Sequence, residues 1–124
     1  MTFRTYLPKR GDLVHMNFSP SAGHEMAGRH YAIVLSPLSY ARRMGMAIVC
    51  VITSRIRRYP YEVYVPDGLL PEKKGVGQVT SIIIADSVRQ VDFRAREMEF
   101  VADAPQELTE EVLDLLLTAL EEEA

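Results

Sequence analysis

Apolar and polar positions alternate in short runs along most of the chain, and a helical stripe closes it. Residues 12–18 (DLVHMNF) put Val14, Met16 and Phe18 on one side and Leu13, His15 and Asn17 on the other, the period of a strand. Residues 19–30 (SPSAGHEMAGRH) carry Ser, Pro and Gly without periodicity. They read as a loop of about 12 residues, a length at which loops are often functional. Residues 31–36 (YAIVLS) read as a buried strand, 37–45 as a connection, and 46–54 (MAIVCVITS) as a β-rich central strand. A basic turn from Arg55 to Pro60 leads into 61–65 (YEVYV), which alternates again. Pro and Gly punctuate 66–78 (PDGLLPEKKGVGQ), an exposed connection. Strands follow at about 79–85 and 87–93, with a short one at 97–102.

The last segment changes period. Asp103-Ala-Pro-Gln106 offers a capping oxygen, an early proline and a Gln three residues on, which together start helices. Leu108, Val112, Leu113, Leu116, Leu117 and Leu120 form the apolar stripe, and Leu115 falls outside it. Strands first and one helix last predict an α+β fold, a small and strongly curved antiparallel β-barrel with a C-terminal helix.

Composition fits one globular domain over 1–124, with 48% hydrophobic and 25% charged residues. A lone Cys50 excludes an intrachain disulfide and a cysteine-built zinc site, and it suits a reducing compartment such as the cytoplasm. The N-terminal segment has no apolar core of a signal peptide, and no apolar run approaches the roughly 20 residues that span a membrane. The net charge of −3 opposes nucleic-acid binding until its distribution is considered. Seven of the 17 acids lie in residues 104–124 without a base, leaving ten acids against all 14 bases in the rest of the chain. Local charge governs docking of a polyanion, so a basic body is compatible with nucleic acid.

Most catalytic chemistries find no support. The histidines, His15, His24 and His30, are not at metal-ligand spacing, and His15 reads as an ordinary strand residue. No G-x-S-x-G occurs, Cys50 sits in an apolar strand as a core residue would, and no Gly-rich loop precedes a helix. What remains is polar groups at strand ends. Arg29 and His30 precede a buried strand. Thr53 and Ser54 end the central one, followed by Arg55, Arg57 and Arg58. A forked cation, an imidazole and a hydroxyl are the parts of a metal-free RNA cleavage, although Arg-rich turns are usually solvated and composition alone does not select this chemistry. A base takes the proton of the ribose 2′-OH, that oxygen attacks the adjacent phosphorus, and an acid protonates the leaving 5′-oxygen.

Three segments carry a family resemblance: KRGDLVHMNFSPSAGHEMAGRHYAIVLSP (9–37), GMAIVCVITSRIRRYPYEV (45–63) and ADSVRQVDFRARE (85–97). In this order they resemble the MazF/PemK-type ribonuclease toxins of bacterial toxin–antitoxin systems; 66–78 fit poorly, as a variable loop would. The resemblance implies an SH3-like barrel that forms a homodimer. It also implies sequence-specific, metal-independent cleavage of single-stranded RNA, mostly mRNA, leaving a 2′,3′-cyclic phosphate and a 5′-hydroxyl. No cofactor is implied. The implied partner is a cognate antitoxin whose acidic segment occupies the RNA groove.

Site residues follow from the matched positions. The family's catalytic Arg stands directly before a Pro; here Tyr31 replaces that Pro and His30 precedes it, with Arg29 one position earlier. Either His30 is the acid/base and Arg29 holds the phosphate, or a backbone adjustment lets Arg29 take the Arg role; the gapless match favours His30. Neighbours along an extended chain face opposite sides, so one of the two should face the site. Thr53 falls on the family's Thr and is expected to hydrogen-bond phosphate. Glu25 matches a loop carboxylate that accepts from a base, Asn17 shares a face with His15 in the groove, and Ser87 stands where Gln is common. Ser54, Arg55, Arg57 and Arg58 would contact phosphates without reading sequence. Two alternatives stand beside the ribonuclease: a toxin of the same fold that inhibits a topoisomerase by binding alone, and an inactive antitoxin-binding homologue.

Overall fold

The structure, a computed structural model, describes residues 6–19 and 28–121. Among these residues six strands and two helices follow in the order β1 (Asp12–Asn17), β2 (Arg29–Val34), α1 (Leu38–Met44), β3 (Ala47–Thr53), β4 (Glu62–Tyr64), β5 (Ile82–Val91), β6 (Glu99–Asp103) and α2 (Gln106–Glu121). The strands form one antiparallel sheet in the order β4-β5-β3-β2-β1-β6. Among the described residues β4 and β6 remain edges, so hydrogen bonding does not close the expected barrel. The architecture is a six-stranded antiparallel sheet with a C-terminal helix.

Both faces of the central strands are buried, which is why β3 reads AIVCVIT rather than as clean alternation. Leu13, Ile33, Cys50, Ile52, Ile83 and Ala85 face one core, which Leu108 and Val112 of α2 complete. Val14, Met16, Ala32, Val34, Val49 and Val51 face the other, with Phe18, Val91, Phe93 and Met98. Cys50 belongs to the first core; burial pushes its thiol up to about 12, so it is no nucleophile at neutral pH.

Three elements differ from the sequence expectation. The connection 37–45 contains α1, capped by Gly45 in the left-handed region (φ 66°), whose N–H bonds Ala41 O at 2.9 Å. Two helical turns that bury only Ala41 leave no apolar periodicity to read. The two strands expected at 79–85 and 87–93 are one strand, β5. Its register against β3 shifts between Cys50 and Ile52, and this irregularity breaks the period. In α2 Leu108 and Val112 of the expected stripe are buried and Leu113 and Leu116 pack half-buried beside them, joined by Leu115 from outside the stripe, whereas Leu117 and Leu120 are exposed.

Candidate functional site

A cleft of about 390 Å³ opens where β2 begins and β3 ends. Antiparallel pairing makes these two ends neighbours. Tyr31 stands opposite Ile52, and continuing the register one step sets His30 opposite Thr53. One wall is His15 of β1 with Arg29, His30 and Tyr31 of β2 and Ile52, Thr53 and Ser54 from the end of β3. The segment between β4 and β5 supplies the other, through Leu70, Pro71, Glu72, Lys73, Val79 and Ser81.

Arg29 is positioned by several groups at once. Gly28 turns the chain at φ +83°, a conformation that side chains resist. Its carbonyl accepts from Phe18 N at 2.7 Å and its N–H bonds Ser19 Oγ at 2.7 Å. Arg29 is thereby paired with Asn17, on the face shared with His15 and Tyr31. Its Nε donates to His15 Nδ1 at 3.4 Å. Its Nη2 reaches Glu97 O at 3.3 Å and lies 3.7 Å from Glu99 Oε1. The turn that presents Glu97 O is organised by Asp92 Oδ1, which accepts from Arg94 N and Ala95 N. His30 pairs with Met16 on the other face of the strand, and its ring lies 6.2 Å from that of Phe18. Because the cleft runs past the strand end, both residues still border it.

Thr53 Oγ1 accepts from Arg55 N at 3.1 Å, which leaves the hydroxyl hydrogen available to a ligand. The basic turn beyond it is pinned from behind. Glu62 accepts from Arg57 N at 3.0 Å and from Arg58 N at 2.8 Å, and Arg58 adopts φ +61°. Arg55, Arg57 and Arg58 are exposed. Burial, and then the nearby Arg29 charge, hold His15 below the usual imidazole range, partly countered by Glu99.

The cleft therefore gathers Arg29, His30, Thr53 and Ser54. Among the described residues, Asn17, Arg55, Arg57, Arg58 and Ser87 do not line it. Asn17 Oδ1 instead accepts from Ser19 N at 3.0 Å, and Ser87 lies in the irregular stretch of β5. Glu25 falls outside the described residues. Two participants escaped the sequence reading. His15, read as an ordinary strand residue, lines the cleft; its shared face with Asn17 was the available signal. Residues 70–73 form the facing wall, a long-range placement that no local pattern encodes. No three His, Cys, Asp or Glu side chains among the described residues are grouped to hold a metal ion.

A small antiparallel sheet with a cation, imidazoles and a hydroxyl at one strand-end cleft is the frame into which the known relatives fit. Residues 9–120 match the family model described as PemK-like, MazF-like toxin of type II toxin–antitoxin system, and the chain belongs to that family. It is 36% identical to the endoribonuclease toxin MazF of Escherichia coli (strain K12) over 91 residues, 73% of this chain and 74% of that protein. The crystal structure of MazF (Form-I) from Deinococcus radiodurans superimposes with a TM-score of 0.82 at 40% identity, covering 95% of this chain and all of that one. A chain of a MazE–MazF crystal structure (Form-II) from the same organism superimposes with a TM-score of 0.75 at 35% identity, covering 96% of this chain and all of that one.

Proposed function

We propose that this protein is the toxin of a toxin–antitoxin pair and an endoribonuclease that cleaves single-stranded RNA at a specific short sequence. The observation that carries the reading is the convergence of Arg29, Thr53 and imidazole groups in one open cleft, in a chain of the MazF-like family. The guanidinium of Arg29 binds the scissile phosphate with its forked donors. The Thr53 hydroxyl donates to a phosphoryl oxygen and stabilises the charge that builds there. The 2′-hydroxyl attacks phosphorus, the bond to the 5′-oxygen breaks, and His30 supplies the proton that the 5′-oxygen takes away. The products are a 2′,3′-cyclic phosphate and a 5′-hydroxyl. Arg55, Arg57 and Arg58, exposed on the turn beyond Thr53, hold the flanking RNA backbone. Asn17, Glu25, Ser54 and Ser87 are the residues through which the protein contacts the RNA around the cut.

The toxin works as a single domain in a homodimer with the curved sheet of an SH3-like barrel, and a cognate antitoxin that covers the cleft inhibits it. No helix of the described residues is long and apolar enough to cross a membrane; the site of action is the cytoplasm, where mRNA lies. The test is cleavage of a long single-stranded RNA in excess EDTA, with product ends mapped. Cuts at one recurring word with 5′-hydroxyl ends are expected. Intact RNA after incubation with folded, antitoxin-free protein, across several RNAs, would overturn the ribonuclease and favour a toxin that acts by binding.

A further inference from the structure

We propose that His15 is the general base of the cleavage, the group that removes the proton from the ribose 2′-hydroxyl. The inference rests on the ribonuclease reading above and adds a role to a residue that the sequence left as ordinary. Its first support is position. The attacking 2′-oxygen sits next to the phosphorus it attacks, so its base must lie beside the group that holds the phosphate. His15 Nδ1 lies 3.4 Å from Nε of Arg29, inside the same cleft. The second is the state of that nitrogen. It accepts a hydrogen bond, so it carries a lone pair and not a proton, and at 3.4 Å, long for an N–H···N bond, that pair is only weakly held. A 2′-hydroxyl can take the place of the Arg29 N–H once the guanidinium turns to phosphate.

The third support is rigidity. His15 is paired on both sides, with Tyr31 of β2 and Glu99 of β6, and its ring rests 4.8 Å from that of Tyr31. A base on the middle of three paired strands keeps its geometry better than one on a loop. The groups bordering it are Arg29, His30 and Tyr31 from β2 and Glu99 from β6, with Glu72 and Lys73 across the cleft. Burial and the Arg29 cation together favour the neutral ring, the form able to accept a proton near pH 7. In the step, the 2′-O–H proton passes to Nδ1, the O2′–P bond forms and the P–O5′ bond breaks. The 5′-oxygen takes a proton from His30, and water then returns both imidazoles to their starting states.

Cleavage kinetics of the full chain test the assignment, with His15→Ala, His15→Gln and the wild type compared. His15→Ala should lower kcat by roughly 10²–10⁴-fold while KM stays within about threefold. The wild-type rate should fall on the acid side of the ordinary imidazole range, and that limb should vanish in the variant. Added imidazole should restore part of the missing rate. A residue that only positions Arg29 would instead raise KM, keep the acid limb and resist imidazole, and any of those outcomes overturns the proposal. If His15→Ala melts too low to assay, His15→Gln carries the same expectations for kcat, KM and the limb. RNA left intact by the wild type would refute the ribonuclease reading and this assignment together; a cleaving wild type with an equally fast variant would refute only the assignment.

Discussion

Replacing Thr53 by Val removes one oxygen and almost nothing else, and it separates the hydroxyl's two tasks. The methyl that takes its place keeps the β-branched shape at the end of β3, so strand packing is preserved. The structural loss is the acceptor for Arg55 N, a 3.1 Å bond in an exposed turn where water can replace it. That costs about 1 kcal/mol of stability or less. The functional loss is a donor to a charged phosphoryl oxygen. Hydrogen bonds to charged groups contribute about 1.5–3 kcal/mol, and at about 1.4 kcal/mol per decade kcat should fall roughly 10- to 150-fold. Thr53→Ser keeps the hydroxyl and should retain most of the rate. Single-turnover cleavage with saturating enzyme reads the chemical step, and a thermal melt checks the fold. A Thr53→Val rate within about twofold of wild type would show that no transition-state charge rests on this hydroxyl. An equally slow Thr53→Ser would trace the effect to the backbone instead.

Further expectations concern the basic turn and the N-terminal ion cluster. Arg55→Ala, Arg57→Ala and Arg58→Ala should each flatten the salt dependence of RNA binding, by about 0.7 in log–log slope for each phosphate no longer neutralised, with kcat little changed; an unchanged slope in titrations from low to high salt would remove the turn from the RNA path. The other expectation concerns Tyr6, whose hydroxyl donates to the buried carboxylate of Asp12, which also accepts from Lys9 N and Lys9 Nζ. Burial first, and then the bond to Asp12, hold the folded Tyr6 well above the usual phenol range. The folded state thus keeps a proton that the unfolded chain releases above about pH 10, so this contribution is present below pH 10 and declines as pH rises beyond it. Tyr6→Phe should cost about 1 kcal/mol at pH 7, and denaturant titrations should show the gap to wild type narrowing above pH 10. A constant gap would contradict the buried, bonded phenol.

Much of this protein was written in local pattern. Alternation at 12–18 marked β1, the apolar run at 46–54 marked β3, and Pro105 with the leucine stripe marked α2, because these patterns are local; the capping oxygen expected of Asp103 is instead taken by Lys9 Nζ at 3.1 Å at the end of β6. The matched segments carried the family and, with it, the toxin reading. Thr53 and the Arg29–His30 pair were legible as candidates because polar groups at the ends of apolar strands are conspicuous.

Tertiary structure decided the rest. The sheet's open edges depend on which strands pair, and pairing is a long-range choice that a single strand's sequence does not record. The face of α2 that packs keeps Leu108, Val112, Leu113 and Leu116, takes in Leu115 and leaves out Leu117 and Leu120, since the sheet beneath selects among a surplus of leucines. Register set Arg29 on the His15 face and His30 on the Phe18 face. It also drew His15 out of a plain strand pattern into the cleft, opposite residues 70–73, which follow it by more than fifty positions. A histidine's chemistry depends on its neighbours in space, and those neighbours exist only once three strands and a distant loop have met.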